Sequence, residues 1–195
     1  MPNWKPAIKF LKKGGVGVIP TDTLYGLVAS AKNPAAVERV YRLKGRAPDK
    51  PSIILINSLN DLKKFGIVPT KTDLELLAKL WPGPVSVKFP FPSILTKSLS
   101  LTYLHCGTNT LAFRLPKPAS LRSMLKKTGP LIAPSANREN QQPAATIAIA
   151  RRYFGDKIDF YVAGKKLVGK PSTLVVLQAG KIIVVRPGIA KLPMI

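Results

Sequence analysis

Residues 16–27 read Val16-Gly17-Val18-Ile19-Pro20-Thr21-Asp22-Thr23-Leu24-Tyr25-Gly26-Leu27. Four small or apolar residues in a row, stopped by a proline, predict a short strand over 16–19 that is buried on both faces. Strands of that kind belong to α/β sheets, and in open α/β sheets ligands sit at strand ends. Just past this end, Thr21, Asp22, Thr23 and Tyr25 place two hydroxyls, a carboxylate and a phenol within five residues. The same residue types also favour a plain turn or cap. The stretch alone therefore fits either a binding rim or a structural turn.

Working outward, Trp4, Ala7, Ile8 and Leu11 follow helical spacing, and Gly14-Gly15 ends that helix. Asn33-Pro34 opens a second helix with Val37, Val40 and Tyr41 on one face. A buried strand over 52–56 follows, then a short helix capped by Ser58 that carries Leu59 and Leu62. Thr72 with Glu75 reads as a capping box for a helix ending near Trp81. Pro82-Gly83-Pro84 is a turn into a strand over 85–89. Further strands are predicted over 111–115, 131–133, 173–177 and 181–185, with helices near 119–127 and 145–154. Gln178-Ala179-Gly180 suits a hairpin turn. Helices between the early strands and a hairpin at the end predict an α/β fold with a twisted mixed sheet and flanking helices. The length of 195 residues predicts one domain over 1–195, and 46% hydrophobic residues supply a sizeable core.

Composition narrows the chemistry. One cysteine, Cys106, excludes an internal disulfide or a cysteine-based zinc site and points to a reducing compartment. The N-terminus has no secretory pattern, and no apolar run reaches the ~20 residues of a membrane span. The expectation is a cytoplasmic protein without membrane attachment. Nine acidic residues show no cluster that would hold a two-metal site, and any metal is expected to be Mg²⁺ carried by nucleotide phosphates. A lone histidine, His105, and the lack of a G-x-S-x-G elbow argue against Ser-His-Asp catalysis. Thirty-one basic residues give a net charge of +22, which attracts nucleotides, pyrophosphate, RNA or an anionic surface, and which equally describes a solvated basic exterior.

Three more stretches stand out. Lys44-Gly45-Arg46 with Lys50 sets cations around a glycine that allows close approach to a ligand. Arg46 offers a planar fork for phosphate. Ser135 and Asn137 lie two apart beyond the 131–133 strand, able to meet phosphate, ribose or base edges. Arg114 sits inside an apolar strand, where a charge requires a partner: a bound carboxylate or phosphate, or one of the few acids. Ser172-Thr173 opens one late strand and Arg186 closes the next, before Pro187-Gly188.

The succession Pro20-Thr-Asp-Thr-Leu-Tyr-Gly-Leu27, Lys44-Gly-Arg46, Trp81-Pro-Gly-Pro84, Phe113-Arg-Leu-Pro116, Pro134-Ser-Ala-Asn137, Ser172-Thr-Leu174 and Val185-Arg-Pro-Gly188 closely resembles the YrdC domain, over about residues 3 to 190. The resemblance implies a twisted sheet around a concave, positively charged cavity. It implies an L-threonylcarbamoyladenylate synthase, a nucleotidyltransferase that condenses L-threonine, bicarbonate and ATP to threonylcarbamoyl-AMP and pyrophosphate for tRNA t6A37 modification. Carried over by motif, Lys44, Arg46, Ser135, Asn137 and Arg186 would bind ATP. Thr21, Thr23, Tyr25, Arg114 and Ser172 would bind threonine or its carbamate. No residue is assigned as a covalent nucleophile or general base. Partners implied are ATP, L-threonine, bicarbonate, the proteins of a t6A transferase complex and, through the charge, tRNA or another RNA.

Two departures bear on the threonine side: Leu27-Val-Ala-Ser-Ala31 replaces a glycine-richer family segment, and Leu55 stands where some long members have histidine. The chain resembles the short form of the family. A non-catalytic RNA-binding module stays open as an alternative, although few aromatics are interleaved with the basic residues. So does a carbamoyl-adenylate role like that of hydrogenase-maturation carbamoyltransferases, whose zinc-finger and acylphosphatase parts are absent from this sequence.

Overall fold

The opening stretch folds as a hairpin rather than a strand and a rim. In the computed structural model, which describes residues 2–45, 50–91 and 101–192, β1 (Gly17–Pro20) turns back at once into β2 (Tyr25–Ser30). The strands are antiparallel, with Val18 opposite Leu27 and Pro20 opposite Tyr25. The strand β2 is absent from the sequence reading for a physical reason. It is buried on both faces, so Tyr-Gly-Leu-Val-Ala-Ser shows no alternation. Leu27 faces one apolar cluster and Val28 the other, as do Val18 and Ile19, and Ile54 and Leu55.

The remaining strands are β3 (Ile54–Leu55), β4 (Val85–Pro90), β5 (Thr110–Arg114), β6 (Leu131–Ile132), β7 (Phe160–Tyr161), β8 (Thr173–Gln178) and β9 (Lys181–Arg186). Among the described residues they form one mixed sheet, ordered β7-β1-β2-β6-β3-β5-β4-β8-β9. The pairs β1–β7, β3–β5 and β4–β8 are parallel, and the other neighbours are antiparallel. The predicted turn at Ala179-Gly180 joins β8 to β9, with φ of 49° and 72°. That pair of left-handed residues matches the right-handed twist of the strands it connects.

Helices cover both faces. The helices α1 (Lys5–Leu11) and α5 (Ala119–Thr128) pack on one, through Ala7, Leu11, Leu121, Met124 and Leu125. The helices α2 (Pro34–Lys44), α3 (Lys71–Leu80), α4 (Thr102–His105) and α6 (Ile147–Phe154) pack on the other. None of the helices among the described residues is long and apolar enough to cross a membrane.

Local chemistry explains most boundaries and corrects one. Asn33 caps α2, its side chain accepting from the Ala36 N–H at 3.0 Å. The capping box of α3 is Thr70 with Asp73, not Thr72 with Glu75. Thr70 Oγ1 accepts from the Asp73 N–H and Asp73 Oδ2 from the Thr70 N–H. Both pairs satisfy the same sequence template, but the helix starts at Lys71, so Thr72 lies inside its first turn and Thr70 stands at the N-cap.

Asp159 closes the sheet edge. Its Oδ2 accepts from the Val16 N–H at 2.7 Å and from Arg39 at 2.6 Å. Burial pushes this carboxyl up, but the hydrogen bonds from Arg39 and Val16 and the Arg39 charge outweigh that and hold it below its ordinary value. A depressed carboxyl stabilises the fold above the ordinary aspartate range and loses that contribution as pH falls through the lowered value. Asp159→Asn is expected to lower the melting temperature at neutral pH and to flatten the acid limb of the stability profile below pH ~4. Parallel melts of both proteins across pH 2–7 check this, and identical acid limbs would show that Asp159 does not carry the effect.

Candidate functional site

The turn between β1 and β2 is built by Thr21. Its Oγ1 donates to the Leu24 carbonyl at 2.7 Å and accepts from the N–H groups of Thr23 and Leu24. Thr23 Oγ1 lies 3.3 Å away. The hydroxyls read in the sequence as a rim thus shape the turn, and both threonines also line a small cavity of about 100 Å³. Its walls bring together Thr21, Thr23, Tyr25, Arg114, Ser135, Ser172 and Arg186. These come from the first hairpin, the end of β5, the segment after β6 and the hairpin β8–β9, all distant in sequence.

Arg114 is the charged centre of this cavity. It is 4% exposed. Its Nη2 lies 3.2 Å from Asp22 Oδ1 and donates to Thr21 Oγ1 at 3.3 Å. Asp22 is in turn held by the Lys117 N–H on its Oδ2. The partner foreseen as the alternative to a ligand is therefore present, and it is Asp22. Nε of Arg114 remains buried with no hydrogen-bond partner among the described residues. Burial pushes this guanidinium below its ordinary value, Asp22 opposes that, and Arg186 adds to it. Two cations and one carboxylate at one spot suit an anionic ligand.

Arg186 and Ser172 meet from the last hairpin. Nη2 of Arg186 donates to the Ser172 carbonyl at 3.0 Å. The Ser172 hydroxyl pairs with that of Ser86 at 2.8 Å, both buried. Ser86 is missing from the sequence reading because an isolated serine in a strand carries no signal. Gly188 has a clear reason: a Cβ there would stand 2.4 Å from the Pro171–Thr173 backbone, so only glycine lets the chain after Arg186 pack against Ser172.

Lys44 and the 135–137 segment form one unit. Nζ of Lys44, 4% exposed with its residue, donates to the carbonyls of Ser135 and Asn137 at 2.7 Å each and reaches Asn137 Oδ1 at 3.2 Å. Ser135 Oγ donates to the same Oδ1 at 2.6 Å. Backbone bonds join this segment to β2, from Leu27 N–H to the Pro134 carbonyl and from Ala136 N–H to the Tyr25 carbonyl. Lys50 pairs with Glu139 at 3.6 Å. Both flanks of 46–49 are thus tied to the 135–139 loop, and Arg46 itself lies outside the described residues. Gly45, expected to admit a ligand, is the left-handed C-cap of α2 at φ 62°. Beside it, Arg42, Lys44, Arg138, Tyr153 and Lys157 line an open hollow of ≈ 570 Å³.

Tyr25 fastens the loop after β7 to the site. Its hydroxyl donates to the Lys165 carbonyl at 3.2 Å and accepts from the Gly164 N–H at 3.0 Å. Burial raises its ionisation above the ordinary value, and the Gly164 N–H opposes that in part. Tyr25→Phe is expected to cost about 1 kcal/mol of stability. Thermal melts check this, and an unchanged melting temperature would show that the hydroxyl does not hold the loop after β7.

His105 is a core residue. Its ring stacks on Phe91 at 5.6 Å, and Nδ1 accepts from the Gly107 N–H.

With this geometry in place, the profile of the Sua5/YciO/YrdC family, described as telomere recombination, matches residues 9–188. The chain belongs to that family. Among its relatives, a threonylcarbamoyl-AMP synthase of Thiobacillus denitrificans is 31% identical over 175 residues, covering 89% of this chain and 90% of that one. The threonylcarbamoyl-AMP synthase of Pyrococcus abyssi is 31% identical over 191 residues, covering 95% of this chain. The chain spans about half of that relative's length, 54%. A crystal structure of P. abyssi Sua5 complexed with L-threonine superimposes with a TM-score of 0.82 at 28% identity, covering 93% of this chain and 53% of that one. The family fold, a twisted mixed sheet with flanking helices, is the fold seen here.

Proposed function

We propose that this chain, acting as one YrdC-like unit in the cytoplasm, is an L-threonylcarbamoyladenylate synthase, a nucleotidyltransferase working for tRNA t6A37 modification. One observation carries the reading. Arg114, whose buried Nε has no hydrogen-bond partner among the described residues, lines a cavity that also gathers Thr21, Thr23, Tyr25, Ser135, Ser172 and Arg186. The names of the relatives from T. denitrificans and P. abyssi, and the L-threonine in the P. abyssi Sua5 crystals, support it.

In this reading the threonine carboxylate, or the carbamate made from its amine, lies against Arg114 near Thr21, Thr23, Tyr25 and Ser172. ATP lies toward Ser135, Asn137, Lys44 and Arg186, and the motif resemblance assigns Arg46 to it as well. The threonine nitrogen attacks the carbon of bicarbonate or CO₂, releasing water or a proton, and yields a carbamate. A carbamate oxygen then attacks the α-phosphorus of ATP. The bond from that phosphorus to the bridging oxygen breaks, and pyrophosphate departs. Such a step needs cations around the developing charge and in-line placement rather than a carboxylate dyad.

Magnesium is proposed to arrive on the triphosphate. In this reading the chain's part is to bind the phosphates that carry it. Pyrophosphate release with ATP, Mg²⁺, bicarbonate and threonine tests the reading. Release is expected to need threonine and bicarbonate together. Folded protein that releases none, or releases it without threonine, would return the chain to the binding-module alternative.

A further inference from the structure

Two buried hydroxyls at the candidate cavity favour one arrangement of their protons. Ser86 stands on β4 and is fully buried. Ser172 precedes β8, is 2% exposed and lines the cavity. Their Oγ atoms lie 2.8 Å apart, and among the described residues neither hydroxyl has another hydrogen-bond partner. A hydroxyl carries one proton and two acceptor lone pairs. One of the pair therefore donates to the other, whose own proton is left over. If Ser172 donated, the leftover proton would belong to Ser86, buried with no acceptor, and would carry the penalty of an unmade hydrogen bond. If Ser86 donates, the leftover proton belongs to Ser172, which has the cavity to turn to.

The rest of Ser172 is already fixed. Its carbonyl accepts from Arg186 Nη2 at 3.0 Å, the Thr173 N–H donates to the Pro84 carbonyl at 3.1 Å, and Gly188 packs against the 171–173 backbone. What remains to be set is the direction of one O–H bond. Ser86 also stands beside the charged centre of the cavity. Val87 lies opposite Phe113 in the antiparallel pairing of β4 with β5, so one step on Ser86 comes opposite Arg114, on the same face of the sheet. The Arg114 Nε–H is a second buried donor with no acceptor among the described residues.

We infer that Ser86 is a positioning residue: it donates to Ser172 and so holds the Ser172 hydroxyl as a donor to an oxyanion of the substrate. That oxyanion is the carboxylate of threonine or the carbamate made from its amine, and the assignment rests on the reaction proposed above. Ser86 is not among the residues that line the cavity, so it acts only through Ser172.

Calorimetric titration of the full chain with threonine, and with threoninamide, which lacks the carboxylate, tests this, each with and without bicarbonate. Ser86→Ala is expected to weaken threonine binding about 5-fold. Ser86→Thr, which keeps the hydroxyl, should stay within ~2-fold of wild type, and Ser86→Cys, with its weak thiol donor, should fall between them. The double variant Ser86→Ala/Ser172→Ala should bind no more weakly than Ser172→Ala alone. A loss confined to threonine places the accepting oxygen on the carboxylate. A loss shared by threoninamide that appears only with bicarbonate places it on the carbamate. Unchanged affinity in Ser86→Ala, an equal loss for threoninamide without bicarbonate, or losses that add in the double variant would each overturn the assignment. Melting curves of all variants establish that the comparison is between folded proteins, with Ser86→Thr and Ser86→Cys keeping the site filled. Wild type that binds neither ligand would instead defeat the proposed reaction, and the assignment with it.

Discussion

Arg114→Met is expected to abolish threonine-dependent pyrophosphate release, by at least ~100-fold, and to destabilise the fold. The two losses have different origins. The first follows from removing the cavity's buried guanidinium, whose Nε has no other partner among the described residues. The second follows from Asp22, whose side chain is 7% exposed in the pair and would be left without its cation. Breaking one side of a buried ion pair costs about 3–5 kcal/mol. A cycle separates the effects. Asp22→Asn in the Arg114→Met background removes the orphaned charge, so the double variant is expected to recover much of the lost stability and none of the activity. Chemical denaturation and the pyrophosphate assay read the two quantities independently. Activity that survives in Arg114→Met, or returns in the double variant, would make the pair purely structural.

Lys44→Met is the second large effect. The motif resemblance assigns Lys44 to ATP phosphate, yet its ammonium is buried and donates to the Ser135 and Asn137 carbonyls. Its removal leaves those acceptors without a charged donor and frees the loop that carries Ser135 and Asn137. Hydrogen bonds from a charged group contribute about 1.5–3 kcal/mol each. The substitution is therefore expected to cost a few kcal/mol and to raise the KM for ATP along with a fall in turnover of ~100-fold or more. Hydrogen exchange distinguishes the routes: faster exchange at the Ala136 and Leu27 amides, which bond across to the Tyr25 and Pro134 carbonyls, marks loss of the loop. Unchanged exchange with lost turnover would place the Lys44 effect directly at phosphate.

The sheet was legible wherever the local pattern was strong. The strands β4, β5, β6, β8 and β9, the Asn33 cap and the Ala179-Gly180 turn all follow from short-range chemistry. β2, β7 and α4 were not, because a strand buried on both faces, a two-residue strand and a one-turn helix leave no periodic signal. The cavity members Thr21, Tyr25, Arg114, Ser135, Ser172 and Arg186 could be named from motif order, but their arrangement could not. That Asp22 holds Arg114, that Ser86 pairs with Ser172, and that Lys44 reaches across ninety residues to the 135–137 loop depend on contacts between distant strands. Several motif residues therefore carry both of the roles that the sequence left open: Thr21 shapes a turn and lines the cavity.

Mass spectrometry of the adenylate formed with ¹³C-bicarbonate tests the central claim most directly. The account predicts an adenylate that contains threonine and one bicarbonate carbon, one mass unit heavier with the label than without, and absent when threonine is withheld. An unlabelled threonyl adenylate, or hydrolysis of ATP with no threonine-containing product, would contradict it.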